Sequence, residues 1–125
     1  MQCGGSIGNV FELSPAGTGW NMAQLYYFLG CKLGYSPLDV VRDQAGNLYG
    51  VASGGPPVCD QNLGCGTVSK LSQTGQGWAE TAFHDFPGGD AGWGPSSVTL
   101  VGSKLYGTTA EGGASNYGAI FEISP

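Results

Sequence analysis

The side chains best equipped for chemistry are four cysteines, a single histidine and nine acidic residues in a chain of 125. Cys59 and Cys65 enclose Asp60-Gln61-Asn62-Leu63-Gly64. Two thiols so placed can close a short loop as a disulfide. Zinc is the rival occupant, but it wants closely spaced Cys pairs with two further Cys or His ligands. His84, the only histidine, is remote in sequence. The spacing therefore favours a Cys59–Cys65 disulfide and no metal. Cys3 and Cys31 flank an earlier segment, and nothing in their spacing fixes whether they pair.

The remaining constellations point away from catalysis. His84-Asp85 has the composition of an acid–base pair, but a triad also needs a nucleophile held in register. Asp43-Gln44-Ala45-Gly46-Asn47 offers one carboxylate where calcium demands a cage of oxygens; it reads as a β-turn. Asp39, Asp90 and Glu111 are the carboxylates a glycoside hydrolase would pair, yet all three stand in turn-like contexts. Ser14, Ser72 and Ser124 close a strand motif rather than a Gly-x-Ser-x-Gly elbow. No catalytic set and no cofactor motif is expected. The aromatic residues suit binding better, since sugar rings stack on aromatic faces. Trp20, Trp78, Tyr49 and Tyr106 recur periodically, as packing residues do. Trp93 and Tyr35 precede Pro95 and Pro37 in segments that enter a strand, and these two are the candidate ligand-binding residues.

What positions these side chains is a repeat. Gly8-Asn9-Val10-Phe11-Glu12-Leu13-Ser14-Pro15 returns as Gly66-Thr67-Val68-Ser69-Lys70-Leu71-Ser72-Gln73 and as Gly118-Ala119-Ile120-Phe121-Glu122-Ile123-Ser124-Pro125. Gly17-Thr18-Gly19-Trp20 matches Gly75-Gln76-Gly77-Trp78. Pro37 matches Pro95, Leu48-Tyr49-Gly50 matches Leu105-Tyr106-Gly107, and Gly54-Gly55 matches Gly112-Gly113. The Cys59–Cys65 segment is an insertion into the first complete unit. Each unit reads as four short strands with glycine-rich turns. In order these are Leu38–Arg42, Asn47–Ala52, Thr67–Ser72 and Trp78–Phe86. No helical period is present.

A four-stranded antiparallel unit of this length predicts an all-β chain of β-propeller blades. A β-solenoid has shorter coils, and a sandwich gives no reason for recurring Trp and Leu-Tyr-Gly. The predicted organisation is one repeat domain over 1–125, with a partial blade at 8–30, a complete blade at 35–88 and a partial blade at 93–125. About two blades cannot close a ring. Closure is expected either from a longer chain or from self-association of copies head to tail, about three or four of them.

Composition sets the surroundings. The 24 glycines suit tight turns, and 41% hydrophobic residues argue against disorder. Net charge is −5 with only four Lys plus Arg, scattered as Lys32, Arg42, Lys70 and Lys104. Nucleic acid and anionic membrane surfaces are therefore poor partners, and no apolar run is long enough for membrane insertion. Met1-Gln2-Cys3-Gly4-Gly5 has no basic or apolar leader region, so either a leader has been removed, or the chain is an excerpt, or the protein is cytoplasmic. An even cysteine count with few lysines favours an oxidising compartment.

The string from Gly8 through Gly17-Thr18-Gly19-Trp20, Leu25-Tyr26-Tyr27-Phe28 and Ser36-Pro37 to Gly54-Gly55 resembles the Gloeo/Verruco (GloVer) tandem repeat of bacterial proteins. The resemblance spans nearly the whole chain. It implies an exported, propeller-like repeat protein, extracellular or at the cell surface, with no catalytic residues to carry over. Ser69 departs from the Phe of the other copies and Gln73 from their proline. The function expected is a non-catalytic module that binds a glycan or a partner protein. The alternative is a purely structural segment, with a carbohydrate-active enzyme a distant third.

Overall fold

The computed structural model describes residues 6–29, 36–55, 58–60 and 63–125. The chain is all-β, with antiparallel sheets and, among the described residues, a single 3-10 turn at Gly89–Ala91. The strands are β1 (Ser6–Ala16), β2 (Gly19–Leu29), β3 (Pro37–Arg42), β4 (Leu48–Ala52), β5 (Val58–Asp60), β6 (Leu63–Gly64), β7 (Thr67–Thr74), β8 (Gly77–Asp85), β9 (Trp93–Val101), β10 (Lys104–Glu111) and β11 (Ala119–Ile123). β1 and β2 form a first, two-stranded sheet. β3-β4-β7-β8 form a central sheet in chain order, and β9-β10-β11 a third. The inserted loop folds as its own small hairpin, β5–β6. Among the described residues the sheets do not close into a barrel or ring.

The sequence repeat is also a repeat of backbone geometry. In the central sheet an extra residue, Leu38, bulges between Pro37 and Asp39 where they face Ala52 and Val51. In the third sheet Ser96 bulges at the matching place, between Pro95 and Ser97. A second bulge sets Leu25 between Tyr26 and Gln24 opposite Val10 and Phe11. It recurs with Phe83 opposite Val68 and Ser69. A bulge bends its strand and increases the local twist, so matching strands of the repeat bend at matching places.

The sheets pack face to face through a recurring joint. Gly66 has φ +99° and lies against the ring of Pro95, the residue matching Pro37. A Cβ there would collide with the proline Cδ and sit 2.9 Å from the Ala52 carbonyl oxygen. Gly8, with φ +123°, meets Pro37 in the same way. Only glycine tolerates both the positive φ and the close approach. Asp39 ties the central to the third sheet, accepting from Val98 N (3.0 Å) and from Val40 N (2.9 Å).

The main core lies between the central and third sheets. Tyr49, Val51, Cys65, Val68 and Phe86 pack against Val98 and Leu105, with Trp93, Leu100, Phe121 and Ile123 partly buried beside them. Aromatic contacts also repeat. Phe86 sits edge-on to His84 (4.8 Å between ring centroids), and the matching Phe28 sits edge-on to Tyr26 (5.2 Å). Phe86 further meets Phe121 at 5.1 Å. The Phe121 ring lies directly over Gly107, where any side chain would clash. That explains the glycine of the Leu-Tyr-Gly motif: it leaves room for the third-strand phenylalanine.

Candidate functional site

Cys59 and Cys65 are joined as a disulfide, Cα–Cα 4.9 Å. It pins the β5–β6 hairpin to the core, because Cys65 is fully buried there. The Gly88 backbone passes close to the Cys59 sulfur. The link therefore does more than close a surface loop.

Of the two candidate ligand residues, Tyr35 lies outside the described residues, as do Cys3 and Cys31. Trp93 is not in a loop. It is the first residue of β9, opposite Glu111, and its half-buried indole packs on the core beside Gly112. The residues expected to pack divide differently from the sequence reading. Tyr49 is buried, Trp78 is half-buried, and Trp20 is 66% exposed next to the β1–β2 turn. Recurrence marked Trp20 as a packing residue, but among the described residues its indole has no second sheet to meet.

Asp39, Asp43 and Asp85 are structural partners. Gly46 N donates to Asp43 O across the β3–β4 turn (3.2 Å). The Asp43 carboxylate accepts from Asn47 N (2.8 Å), Asn47 Nδ2 (2.9 Å) and Tyr49 OH (3.1 Å). The Asn47 hydrogen bond leads in holding the Asp43 carboxyl below its ordinary range. Asp85 accepts from Thr67 Oγ1 (3.0 Å), and His84 is an exposed strand residue. Asp39 is spent on backbone amides, Asp90 lies in the 3-10 turn, and Glu111 ends β10. Among the described residues no three His, Cys, Asp or Glu gather as a metal site.

Two concavities carry the geometry of a site. The first is an open cleft of about 600 Å³ between the β3–β4 and β9–β10 turns, lined by Arg42, Asp43, Gln44, Tyr49, Leu100 and Ser103 among others. Arg42 and Asp43 bring opposite charges to this cleft, and the only close ion pair among the described residues is Lys104–Glu122 at 2.8 Å. The second is an apolar cavity of about 250 Å³ between the first and central sheets. Val10, Phe28, Leu38, Val40, Ser69 and Leu71 are among its walls.

Beside the apolar cavity the β2–β8 contact buries an acid. Both Glu80 carboxylate oxygens are inaccessible and lack a well-formed hydrogen bond. The Tyr26 and Ser69 hydroxyls are the polar groups that approach them. Burial is the main cause that pushes the Glu80 carboxyl up. Burial, followed by the neighbouring Glu80, pushes the Tyr26 phenol up to about 12. The departure of Ser69 from the repeat is visible in the sequence, but the hollow left by the missing phenyl ring is visible only in the fold.

Comparison with family models, with curated proteins and with solved structures finds no match for this chain. No helix among the described residues is long and apolar enough to cross a membrane.

Proposed function

We propose that the chain is a non-catalytic repeat module of an exported, GloVer-like bacterial protein: a run of β-propeller-type sheets that binds a glycan or a partner protein. The observation that carries this reading is the duplicated joint, Gly8 on Pro37 and Gly66 on Pro95, with unfilled faces at both ends of the stack. Phe11 and Leu13 are 53% and 52% exposed, whereas Phe121 and Ile123, at the matching positions, pack on the core. Ile120 is 82% exposed where the matching Val68 is fully buried. Stacked units of this kind bury their faces only against neighbours. Further sheets from head-to-tail copies, or from a longer chain, would cover them. The disulfide supports an oxidising, extracellular setting.

Under this reading the open cleft with Arg42, Asp43, Gln44 and Ser103 offers a cation, a carboxylate and polar groups to a hydroxyl-rich ligand. A purely architectural role has its own support, because Tyr49 and Trp93 spend their rings on packing. Light scattering at micromolar concentration tests assembly by copies: about three or four per particle are expected, and a folded, soluble monomer refutes it. A glycan array and a pull-down test binding. Capture of a ligand that Arg42→Ala weakens supports the module reading, and no capture in either leaves the architectural one.

A further inference from the structure

The apolar cavity is the footprint of a strand. In the central sheet, β4 lies between β3 and β7 and turns Tyr49 and Val51 onto the third sheet. Their neighbours across that joint include Val98, which is 4% exposed. The first sheet matches β7 and β8 with β1 and β2, and among the described residues no strand pairs with the outer edge of β1. The corresponding wall across its joint is Val40, matched to Val98 and left 44% exposed, with Gly50, Ser69 and Leu71. So the cavity opens where second-strand side chains would stand if β1 had the neighbour that β7 has.

We infer that the free edge of β1 and this cavity together accept the second strand of another repeat unit: an extended Leu-Tyr-Gly-Val/Thr segment paired antiparallel to β1. Because β4 and β10 are each paired on both edges, a second copy supplies that strand only by giving up its β10–β11 pairing. The segment's tyrosine and β-branched residue, two apart on one face, enter the cavity against Val40 and Leu71. This is strand addition, in which main-chain hydrogen bonds give affinity and alternate side chains in pockets give specificity. The occupied surface would be continuous with the joint already formed by Gly8 on Pro37 and Tyr26 beside Glu80. Leu-Tyr-Gly is favoured over an arbitrary strand because its glycine admits a phenylalanine from the paired third strand. Gly107 does so for Phe121, and β1 presents Phe11 at the matching position.

The inference rests on the stacked-repeat reading, and the experiment separates the two. A labelled peptide with the sequence of residues 47–53 is titrated into the intact chain, with backbone amide spectra recorded alongside. Binding is expected to shift the amides of Asn9–Leu13. It should weaken at least tenfold when the peptide carries Tyr49→Ser and Val51→Ser, and at least tenfold in the Val40→Asp protein. Circular dichroism checks that the half-exposed Val40 site tolerates the change. If copies already fill the edge, Val40→Asp lowers the mass seen by light scattering instead. No binding at millimolar peptide with no change in mass, or binding indifferent to both substitutions, overturns the inference. Val98→Asp, at the buried matching position, tests the stacking itself. If it leaves stability intact, the stacked-repeat reading fails whatever the peptide does.

Discussion

Replacing Ser69 by phenylalanine restores the residue that Phe11 and Phe121 supply in the other two copies, and it should stabilise the chain. The ring would lie over Gly50, as Phe121 lies over Gly107. At present a Cβ on Gly50 would meet only Asp39 O at 3.2 Å and a Val40 methyl at 4.0 Å. It would reach Phe28, which corresponds to the Phe86 that Phe121 contacts at 5.1 Å. Full burial of a phenyl ring contributes about 1.5–3 kcal/mol. The cavity is partly open, so about half of that applies, and an edge-to-face pair adds about 0.5–1.5 kcal/mol. Against this, losing the Ser69 hydroxyl beside buried Glu80 costs about 1 kcal/mol. The net expectation is stabilisation by about 1 kcal/mol, or about 3–4 °C in Tm, read by urea and thermal unfolding. A coupling test is sharper. Gly50→Ala should cost about 1 kcal/mol more in the Ser69→Phe background than alone, because the new methyl and ring then compete for one space. If Ser69→Phe lowers the denaturant midpoint, or the two changes are additive, the equivalence of the two joints is wrong.

Four further outcomes follow from the same geometry. Gly66→Ala should cost about 2–5 kcal/mol, from positive-φ strain plus overpacking on Pro95 and Ala52. Gly102→Ala, at φ +62° with nothing within 4 Å, should cost only about 1–2 kcal/mol; equal urea midpoints would dismiss the joint. Removing the disulfide with Cys59→Ala and Cys65→Ala should cost about 2 kcal/mol by loop-closure entropy, seen as a lower unfolding midpoint. For Glu80 the folded pKa is raised, so the native state holds its proton longer than the unfolded state. Stability is then greatest below the unfolded pKa, and it falls as pH rises to the higher folded value. Glu80→Gln should flatten that decline in urea titrations across the acidic range. Trp20→Ala should shift stability by less than about 0.5 kcal/mol, whereas Trp93→Ala should cost about 2–3 kcal/mol as its half-buried indole leaves the core; comparing their midpoints checks the assignment.

Strand content and order were legible in the sequence because both are local. The alternation in Thr67–Ser72 and the glycine punctuation suffice to place β7 and its turns, and the Cys59–Cys65 link follows from its coincidence with an insertion. What was not legible is which face of each sheet meets another. Trp20 and Trp78 occupy matching positions, yet only Trp78 is half-buried, because burial here depends on a neighbouring sheet rather than on the residue. Trp93 read as a loop residue because it precedes Gly94-Pro95, a pair that usually breaks strands. The strand instead runs through that pair, with Gly94 at φ +66° and Ser96 in a bulge. The joint of Gly66 on Pro95 brings together two recurring residues, but periodicity alone cannot say that they touch.

The two ends of the stack are unequal, and that bears on how the proposed array would close. The outward face of the third sheet carries Ser97, Thr99, Thr108 and Ile120, with the Lys104–Glu122 ion pair. The matching face of the central sheet carries Asp39, Val41, Val51 and Val68, most of it buried in the core. Threonines thus stand on the outward face where the central sheet has two valines. Each such hydroxyl must keep a partner when covered. Ser97 and Thr108 already bond each other at 2.9 Å within their own sheet, so covering them need not strand a polar group. A joint made here would still bury less apolar surface than the internal one. Under the proposed assembly the contact between copies is therefore the weaker joint and comes apart first on dilution, while the contact between the central and third sheets holds until the fold itself is lost.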